Sequence, residues 1–202
     1  MIGYFAYKRR WRRRPSKGEV MTILVVAEHD NIALKRVTLH AMAAAAIISM
    51  FTSRAVHLLV VGGGAHIAGD AANIPGVTNV LLSSAGLAGP LSARTSATLL
   101  AVAKDYSHIV LPATMDGGKI AAEVAIQLGV DLLDDITAVS GEHEFERQIG
   151  SNHTRVTARS SDRVKVITVC PFAFEPVSAM GGSASIANIH VAAGLELVIE
   201  AC

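Results

Sequence analysis

The chain has 202 residues, enough for one full-sized hydrophobic core. Its apolar content of 51% is mostly aliphatic, and its formal net charge of +1 gives no overall reason to expect nucleic-acid binding. The longest apolar run, residues 39–51, is shorter than the roughly 20 residues that cross a bilayer, so we expect no membrane insertion. Two cysteines, Cys170 and Cys202, form neither a disulfide framework nor a metal-binding pattern.

Residues 1–20 differ in charge from the rest of the chain. They hold seven of the 18 basic residues and one acid, a balance of +6, whereas the other 182 residues carry 11 basic and 16 acidic residues, a balance of −5. This segment lacks apolar periodicity, and its composition predicts a basic disordered extension. An arm for nucleic acid or another anionic surface and a mitochondrial transit peptide are two interpretations. We favour a third, a true start at Met21, because Lys17-Gly18-Glu19-Val20 can be encoded by a purine run resembling a bacterial ribosome-binding site.

From Met21 onward, apolar strands alternate with helical segments. This alternation predicts a three-layer α/β/α domain with a mostly parallel sheet, right-handed crossovers and helices on both faces. The predicted strands are residues 22–27, 56–61, 77–82 and 108–111, the last halted by Pro112. The predicted helices are residues 33–50, 65–73, 91–104 and 119–128.

After Gly129 the pattern changes to strand-like segments without helices between them. These are residues 135–139, 144–149, 154–159 and 164–169, and the last three predict antiparallel hairpins at the edge of the sheet. Gly181-Gly182-Ser183 is typical of a flexible linker, and residues 184–202 are expected to be a tail without a partner in the chain. We therefore predict one domain over residues 21–180 and a truncated interdomain linker or tail over 181–202.

Two segments that follow predicted strands are candidate ligand sites. Gly62-Gly63-Gly64 could cradle a phosphate at a helix N-terminus, but Ile67 stands where the dinucleotide fingerprint needs its third glycine. A plain strand-to-helix turn is the favoured interpretation. Glu28-His29-Asp30 ends the first strand, where open α/β sheets place ligands. Capping of the next helix by Asp30 or Asn31 is favoured there over acid–base chemistry.

The remaining polar groups indicate no catalytic or metal centre. Asp134 and Asp135 are successive strand residues, which point to opposite faces, so only one could reach a given ion. The eight histidines lack ligand spacing, and Cys170 has no patterned histidine near it. We assign no catalytic, cofactor-binding or metal-binding residue from the sequence.

Several stretches resemble the N-terminal domain of the electron transfer flavoprotein alpha subunit. They occur in the family's order and spacing from about residue 22 to 186, and it is the ordered set that makes the resemblance specific. The stretches are Leu24-Val25-Val26-Ala27-Glu28-His29, residues 104–109 running into Pro112-Ala113-Thr114, residues 135–139, Ser160-Ser161-Asp162, residues 164–169, Phe174-Glu175-Pro176 and Gly181-Gly182-Ser183-Ala184.

The resemblance implies an adenine nucleotide alpha hydrolase-like fold and a subunit of an electron carrier, not an enzyme. In this family the alpha subunit pairs with a beta subunit, and FAD carries electrons from acyl-CoA or other dehydrogenases to a quinone oxidoreductase. In this family the FAD lies mainly in a C-terminal alpha-subunit domain, which we expect to be missing from this chain, so we expect a scaffold that binds no FAD alone. The alternative is a stand-alone adenine-nucleotide module, since the beta subunit holds AMP in the same fold. The expected location is the bacterial cytoplasm, or the mitochondrial matrix in a eukaryote.

The chain departs from the family's pattern at four places, the first being Gly117-Gly118-Lys119 where the family usually has Gly-Lys-Asn. Ala122-Glu123 stands where the family usually has Pro-Arg, which would turn an ion pair at a subunit contact into a repulsion. Gly150-Ser151-Asn152-His153 replaces the usual Tyr-Ala-Gly-Asn, and Cys170 replaces an arginine. With the missing flavin domain, these changes suggest a divergent or decaying gene copy.

Overall fold

A computed structural model of the chain describes residues 21–83, 90–150, 154–191 and 197–200. The described strands form one ten-stranded sheet in the order β10-β9-β3-β2-β1-β4-β8-β5-β6-β7. The strands are β1 (Thr22–Val26), β2 (Val56–Val61), β3 (Val77–Ser83), β4 (Tyr106–Pro112), β5 (Leu132–Val139), β6 (Glu144–Ile149), β7 (Thr154–Arg159), β8 (Lys165–Val169), β9 (Ser185–Val191) and β10 (Leu197–Glu200). The helices are α1 (Arg36–Thr52), α2 (Gly64–Ala72), α3 (Leu91–Val102) and α4 (Met115–Leu128).

The sheet is covered by helices on both faces. Successive residues of β1 point to opposite faces, so Ile23 packs in the cluster under α1 and α2, whereas Leu24 packs in the cluster under α3 and α4. Both residues are fully buried, which is why the central strands are continuous apolar runs. The predicted three-layer α/β/α fold is confirmed. None of the helices among the described residues is long and apolar enough to cross a membrane.

The predicted edge hairpin is confirmed for two of its three strands. β6 pairs antiparallel with β5 and β7, and β7 is the last strand at that edge. The assignment of residues 164–169 to the same edge is wrong, because β8 lies between β4 and β5 and runs parallel to both. The polar side chains that suggested an exposed strand are satisfied internally: Lys165 Nζ donates to the Asp162 carbonyl at 3.0 Å, and Thr168 Oγ1 donates to Asp134 Oδ1 at 2.6 Å.

The segment predicted as a flexible linker is packed against the domain. The N–H of Gly182 donates to the Asn73 carbonyl at 2.7 Å, and the N–H of Ala184 donates to the Ala72 carbonyl at 3.0 Å. The next residues form β9, which pairs parallel with β3. The expectation that residues 184–202 have no partner in the chain is therefore wrong for residues 184–191, and also for residues 197–200, which pair with β9 as β10. The Gly181-Gly182-Ser183 run was interpreted as a linker because glycine is common in flexible segments. Glycine also occurs where two backbone segments approach each other closely, and that is its role here.

Substituting Gly182 by alanine is expected to destabilise the domain at β9. A Cβ atom there would lie 2.4 Å from the Ile74 carbonyl oxygen, and because that atom is backbone, the chain itself must shift. Overpacking of this kind costs about 1–3 kcal/mol. Urea unfolding measures the loss, and hydrogen exchange of the β9 amides locates it.

Gly69→Ala is the control, because a Cβ atom on this α2 glycine would have nothing within 4 Å. We expect this variant to match or slightly exceed the wild-type free energy of unfolding. Equal losses from the two substitutions would contradict the packing of Gly182.

Candidate functional site

The sheet has a topological switch point between β1 and β4. The chain proceeds from β1 outward to β2 and β3, and β4 then lies on the other side of β1. Open α/β sheets bind ligands at the carboxyl ends of strands that meet at such a point. A cleft of about 240 Å³ opens there, lined by the ends of β1, β2 and β4 and by the first turns of α3 and α4. We call it the switch-point cleft.

Glu28, the second residue after β1, lies in this cleft with its side chain only 14% exposed. The Thr114 hydroxyl donates a hydrogen bond to Glu28 Oε1, and Lys35 Nζ lies 3.7 Å from Glu28 Oε2. The Glu28 backbone is fixed by Thr38, whose Oγ1 accepts from the Glu28 N–H at 2.9 Å. The carboxylate is therefore held by groups from the loop after β4 and the loop after β1, and its backbone is held by α1.

The N-terminus of α4 meets this carboxylate. Thr114 is the N-cap of α4, and its Oγ1 accepts from the Gly117 N–H at 3.0 Å. A Cβ atom on Gly117 would lie 3.2 Å from Glu28 Oε1 and 2.1 Å from the Pro112 carbonyl oxygen. The predicted start of this helix at Lys119 is too late, since α4 begins at Met115; the threonine cap three residues before Gly117 was the missed signal.

His29 has a structural role. It is buried, its Nε2–H donates to the Val61 carbonyl at 3.0 Å, and its Nδ1 accepts from the Asn31 N–H at 3.2 Å. These two bonds specify one neutral tautomer and use both ring nitrogens within the protein. The ring holds the loop after β1 against the end of β2.

The Gly62-Gly63-Gly64 run forms the turn between β2 and α2. All three glycines have positive φ, and Gly63 is the N-cap of the helix. A Cβ atom on Gly63 would lie 2.9 Å from Cε1 of His29. Glycine is required at this position both by the left-handed backbone and by the histidine ring beside it.

The interpretation of Asp30 or Asn31 as the cap of α1 is wrong. Asp30 Oδ1 accepts from the N–H groups of Ile32 at 2.9 Å and Ala33 at 2.8 Å, and these bonds lower the pKa of Asp30. The carboxylate thus closes a turn inside the loop. α1 begins later, at Arg36, after an N-cap residue without a side-chain cap.

Asp134 and Asp135 lie at an irregularity of β5 and not on a regular strand. Asp135 has a φ of 51°, and the register with β8 shifts between Leu133 and Ile136. The Asp135 N–H donates to Thr168 Oγ1 at 2.7 Å. Burial, with a further contribution from Asp135, raises the pKa of the Cys170 thiol, so this thiol is protonated at neutral pH. Within the described ranges, no three His, Cys, Asp or Glu residues are grouped to hold a metal ion.

A buried polar cluster that the sequence did not indicate lies at the opposite, amino-terminal end of the strands. His108 is fully buried on β4; its Nε2–H donates to the Glu142 carbonyl at 3.1 Å, and its Nδ1 lies 2.8 Å from Ser107 Oγ. Glu142 also pairs with Arg54, with Nη1 and Oε1 2.7 Å apart. The cluster anchors the β5–β6 turn to the sheet. His108 and Glu142 are 34 residues apart in the sequence, so no local spacing pattern indicates their contact.

A profile of the electron transfer flavoprotein domain matches residues 23–193. The chain belongs to the electron transfer flavoprotein family. The matched region includes β9 and thus extends beyond the boundary predicted at residue 180. The resemblance stated from the sequence motifs is confirmed.

The similar curated proteins are electron transfer flavoprotein alpha subunits. The protein from Pseudomonas aeruginosa is 38% identical over 171 residues, which cover 84% of this chain and 54% of that protein. The protein from Paracoccus denitrificans is 34% identical over 176 residues, covering 86% and 55%. The mitochondrial protein from Dictyostelium discoideum is 30% identical over 184 residues, covering 87% and 51%. The chain spans about half the length of these relatives.

The switch-point cleft does not fit the FAD that the electron transfer flavoprotein family implies. FAD carries two phosphates, and the N-terminus of α4, which would favour an anion, already faces the Glu28 carboxylate. The cleft of about 240 Å³ is also smaller than the roughly 300–1,000 Å³ of small-molecule sites. The same carboxylate disfavours the phosphate of AMP, so the nucleotide-module alternative gains no support from this cleft.

Glu123, at a position where the sequence predicted a departure from the family's pattern, has a partner within the chain. The Ser96 hydroxyl of α3 donates to Glu123 Oε2 of α4 at 2.7 Å. This bond joins the two helices that cover one face of the sheet. The expected charge repulsion at a subunit contact stays a prediction, as do the effects of residues 151–153, which lie outside the described residues.

Proposed function

We propose that this chain is the scaffold part of an electron transfer flavoprotein alpha subunit, which docks a beta subunit while the FAD lies on protein outside this chain. The observation that carries the proposal is the family match over residues 23–193 together with relatives named as alpha subunits. The cleft chemistry agrees with it, because Glu28 occupies the position that a phosphate-bearing cofactor would need.

The assembled complex would carry electrons from acyl-CoA or other dehydrogenases to a quinone oxidoreductase. In this arrangement the chain is an electron-carrier subunit without catalysis of its own: it positions the partner, and the flavin supplies the redox chemistry. We place it in the cytoplasm of a bacterium, or in the mitochondrial matrix of a eukaryote; the Dictyostelium relative is named as mitochondrial.

Exposed apolar side chains support a docking role. Phe172 is fully exposed beside a groove of about 320 Å³ that Cys170, Ala173 and Arg155 also line. A buried interface core is typically apolar and aromatic with a polar rim. An aromatic side chain standing in solvent next to such a groove is the kind of feature that a partner subunit covers.

The purified chain is expected to be colourless and to bind neither FAD nor AMP. An absorbance scan between 350 and 500 nm tests the first expectation, since FAD absorbs there, and equilibrium dialysis against labelled AMP tests the second. A flavin spectrum at one equivalent per chain would contradict the proposed division of labour. Saturable AMP binding would favour the nucleotide module instead.

Co-expression with a beta subunit tests the docking. We expect the two chains to elute together from a size-exclusion column, and to turn yellow only when a C-terminal flavin domain is supplied as a third chain. A beta subunit that elutes separately from a folded 202-residue chain would refute the docking function.

A further inference from the structure

Glu28 satisfies within the chain the groups that would otherwise attract an anion to the switch-point cleft. The first turn of a helix carries a partial positive charge and favours negative groups. α4 begins in this cleft, and Glu28 Oε1 lies 3.2 Å from the position of a Cβ atom on Gly117, in that first turn. The chain's own carboxylate therefore stands at the helix terminus.

Two further groups of the cleft, the Thr114 hydroxyl and the Lys35 ammonium group, also contact this side chain. The Thr114 hydroxyl donates to Glu28 Oε1 and accepts from the Gly117 N–H, so it links the carboxylate to the helix backbone. Lys35 Nζ lies 3.7 Å from Glu28 Oε2. A second carboxylate, that of Asp116, lines the same cleft, so an entering anion would meet two negative groups and one lysine.

We propose that Glu28 is the specificity determinant of the switch-point cleft: it acts as an internal anion that excludes phosphate, sulfate and other anionic ligands. The inference concerns this chain alone and does not rest on the docking function. It follows that removal of this one side chain raises the affinity of the cleft for an anion, because α4, Thr114 and Lys35 then lose their anionic partner but keep their positions. Asp116 remains as the one opposing carboxylate of the lining.

The test compares the wild-type chain with Glu28→Ala, using inorganic phosphate as the probe in buffers matched in ionic strength with chloride. At a concentration ten times the dissociation constant, we expect phosphate to raise the Tm of E28A by about 3–5 °C, with no rise for the wild type beyond that in chloride. Calorimetric titration with phosphate should show one site in E28A only.

Asp70→Asn is the control for net charge, because Asp70 is an exposed carboxylate on α2 away from the cleft. It should behave as the wild type. Should E28A fail to fold by circular dichroism, Glu28→Ser gives the same comparison with a smaller apolar gap. A wild-type response to phosphate equal to that of the Glu28 variant, or no response of a folded Glu28 variant beyond that of D70N, would overturn the proposal.

Discussion

Lowering the pH from 7 to 5 is expected to destabilise the protein through His108. Burial is the main reason that the pKa of His108 falls from 6.5 to about 4, and the positive charges of Lys165 and Arg54 add to it. The Glu142 carbonyl, which accepts from the ring, and the Glu142 carboxylate act in the opposite direction. The folded protein therefore holds His108 neutral over a range in which the unfolded chain protonates it.

The direction follows from linkage. Above pH 6.5 His108 is neutral in both the folded and the unfolded state, so its titration does not affect stability. Between pH 6.5 and about 4 only the unfolded state binds the proton, so the free energy of unfolding decreases as the pH is lowered. Below about 4 the loss is complete. At about 1.4 kcal/mol per pH unit, the loss amounts to about 2 kcal/mol at pH 5 and about 3 kcal/mol in full.

Urea unfolding at pH 7 and pH 5 measures this loss, and His108→Gln is the variant that should reduce it. We expect H108Q to be less stable at pH 7, since the bond to the Glu142 carbonyl is altered, but to lose about 2 kcal/mol less than the wild type between the two pH values. A smaller dependence should persist, because burial also lowers the pKa of His57. An unchanged dependence in H108Q would refute the assignment.

Gly117→Ala and Gly118→Ala are expected to have opposite effects although they are neighbours on α4. A Cβ atom on Gly117 would lie 2.1 Å from the Pro112 carbonyl oxygen, whereas one on Gly118 would have nothing within 4 Å. G117A must displace the start of α4 from the end of β4, at a cost of about 3 kcal/mol, the upper part of the range for overpacking. G118A should gain about 0.5–1 kcal/mol from helix propensity.

Chemical unfolding of both variants under identical conditions gives the comparison. The dependence of the free energy on denaturant should stay at the wild-type value in both, so that the midpoints report stability alone. Similar midpoints for G117A and G118A would show that α4 does not approach Pro112 as closely as described.

The sequence was informative where burial on two faces leaves a simple pattern. Ile23 and Leu24 are both apolar because each faces its own helical layer, and this produces the continuous runs that identified the central strands. The sequence pattern gave a wrong strand position where polar side chains find hydrogen-bond partners inside the fold. The sequence predicts residues 164–169 at the edge of the sheet, but the Lys165 ammonium group donates to the Asp162 carbonyl and β8 lies inside the sheet.

Glycine was the second source of error, since its sequence signal is the same for two opposite roles. Gly182 suggested a flexible linker and Gly117 delayed the predicted start of α4, yet both glycines lie where a side chain would meet backbone. Which role applies depends on the residue that the glycine packs against, and for Gly182 that residue, Ile74, is remote in sequence. Periodicity within a segment carries no information about such a neighbour.

The sequence by itself determined the layered α/β architecture and the family, because both depend on short-range apolar periodicity and on motifs in a fixed order. Only the tertiary structure showed that the Glu28 carboxylate lies in the switch-point cleft and contacts Thr114 there. Glu28 and Thr114 are 86 residues apart, and neither is distinctive alone; the sheet brings them together because β1 and β4 are neighbours. The role of the Glu28 carboxylate can be inferred only when its partners, Thr114 and Lys35, are known, and the fold determines which groups these are.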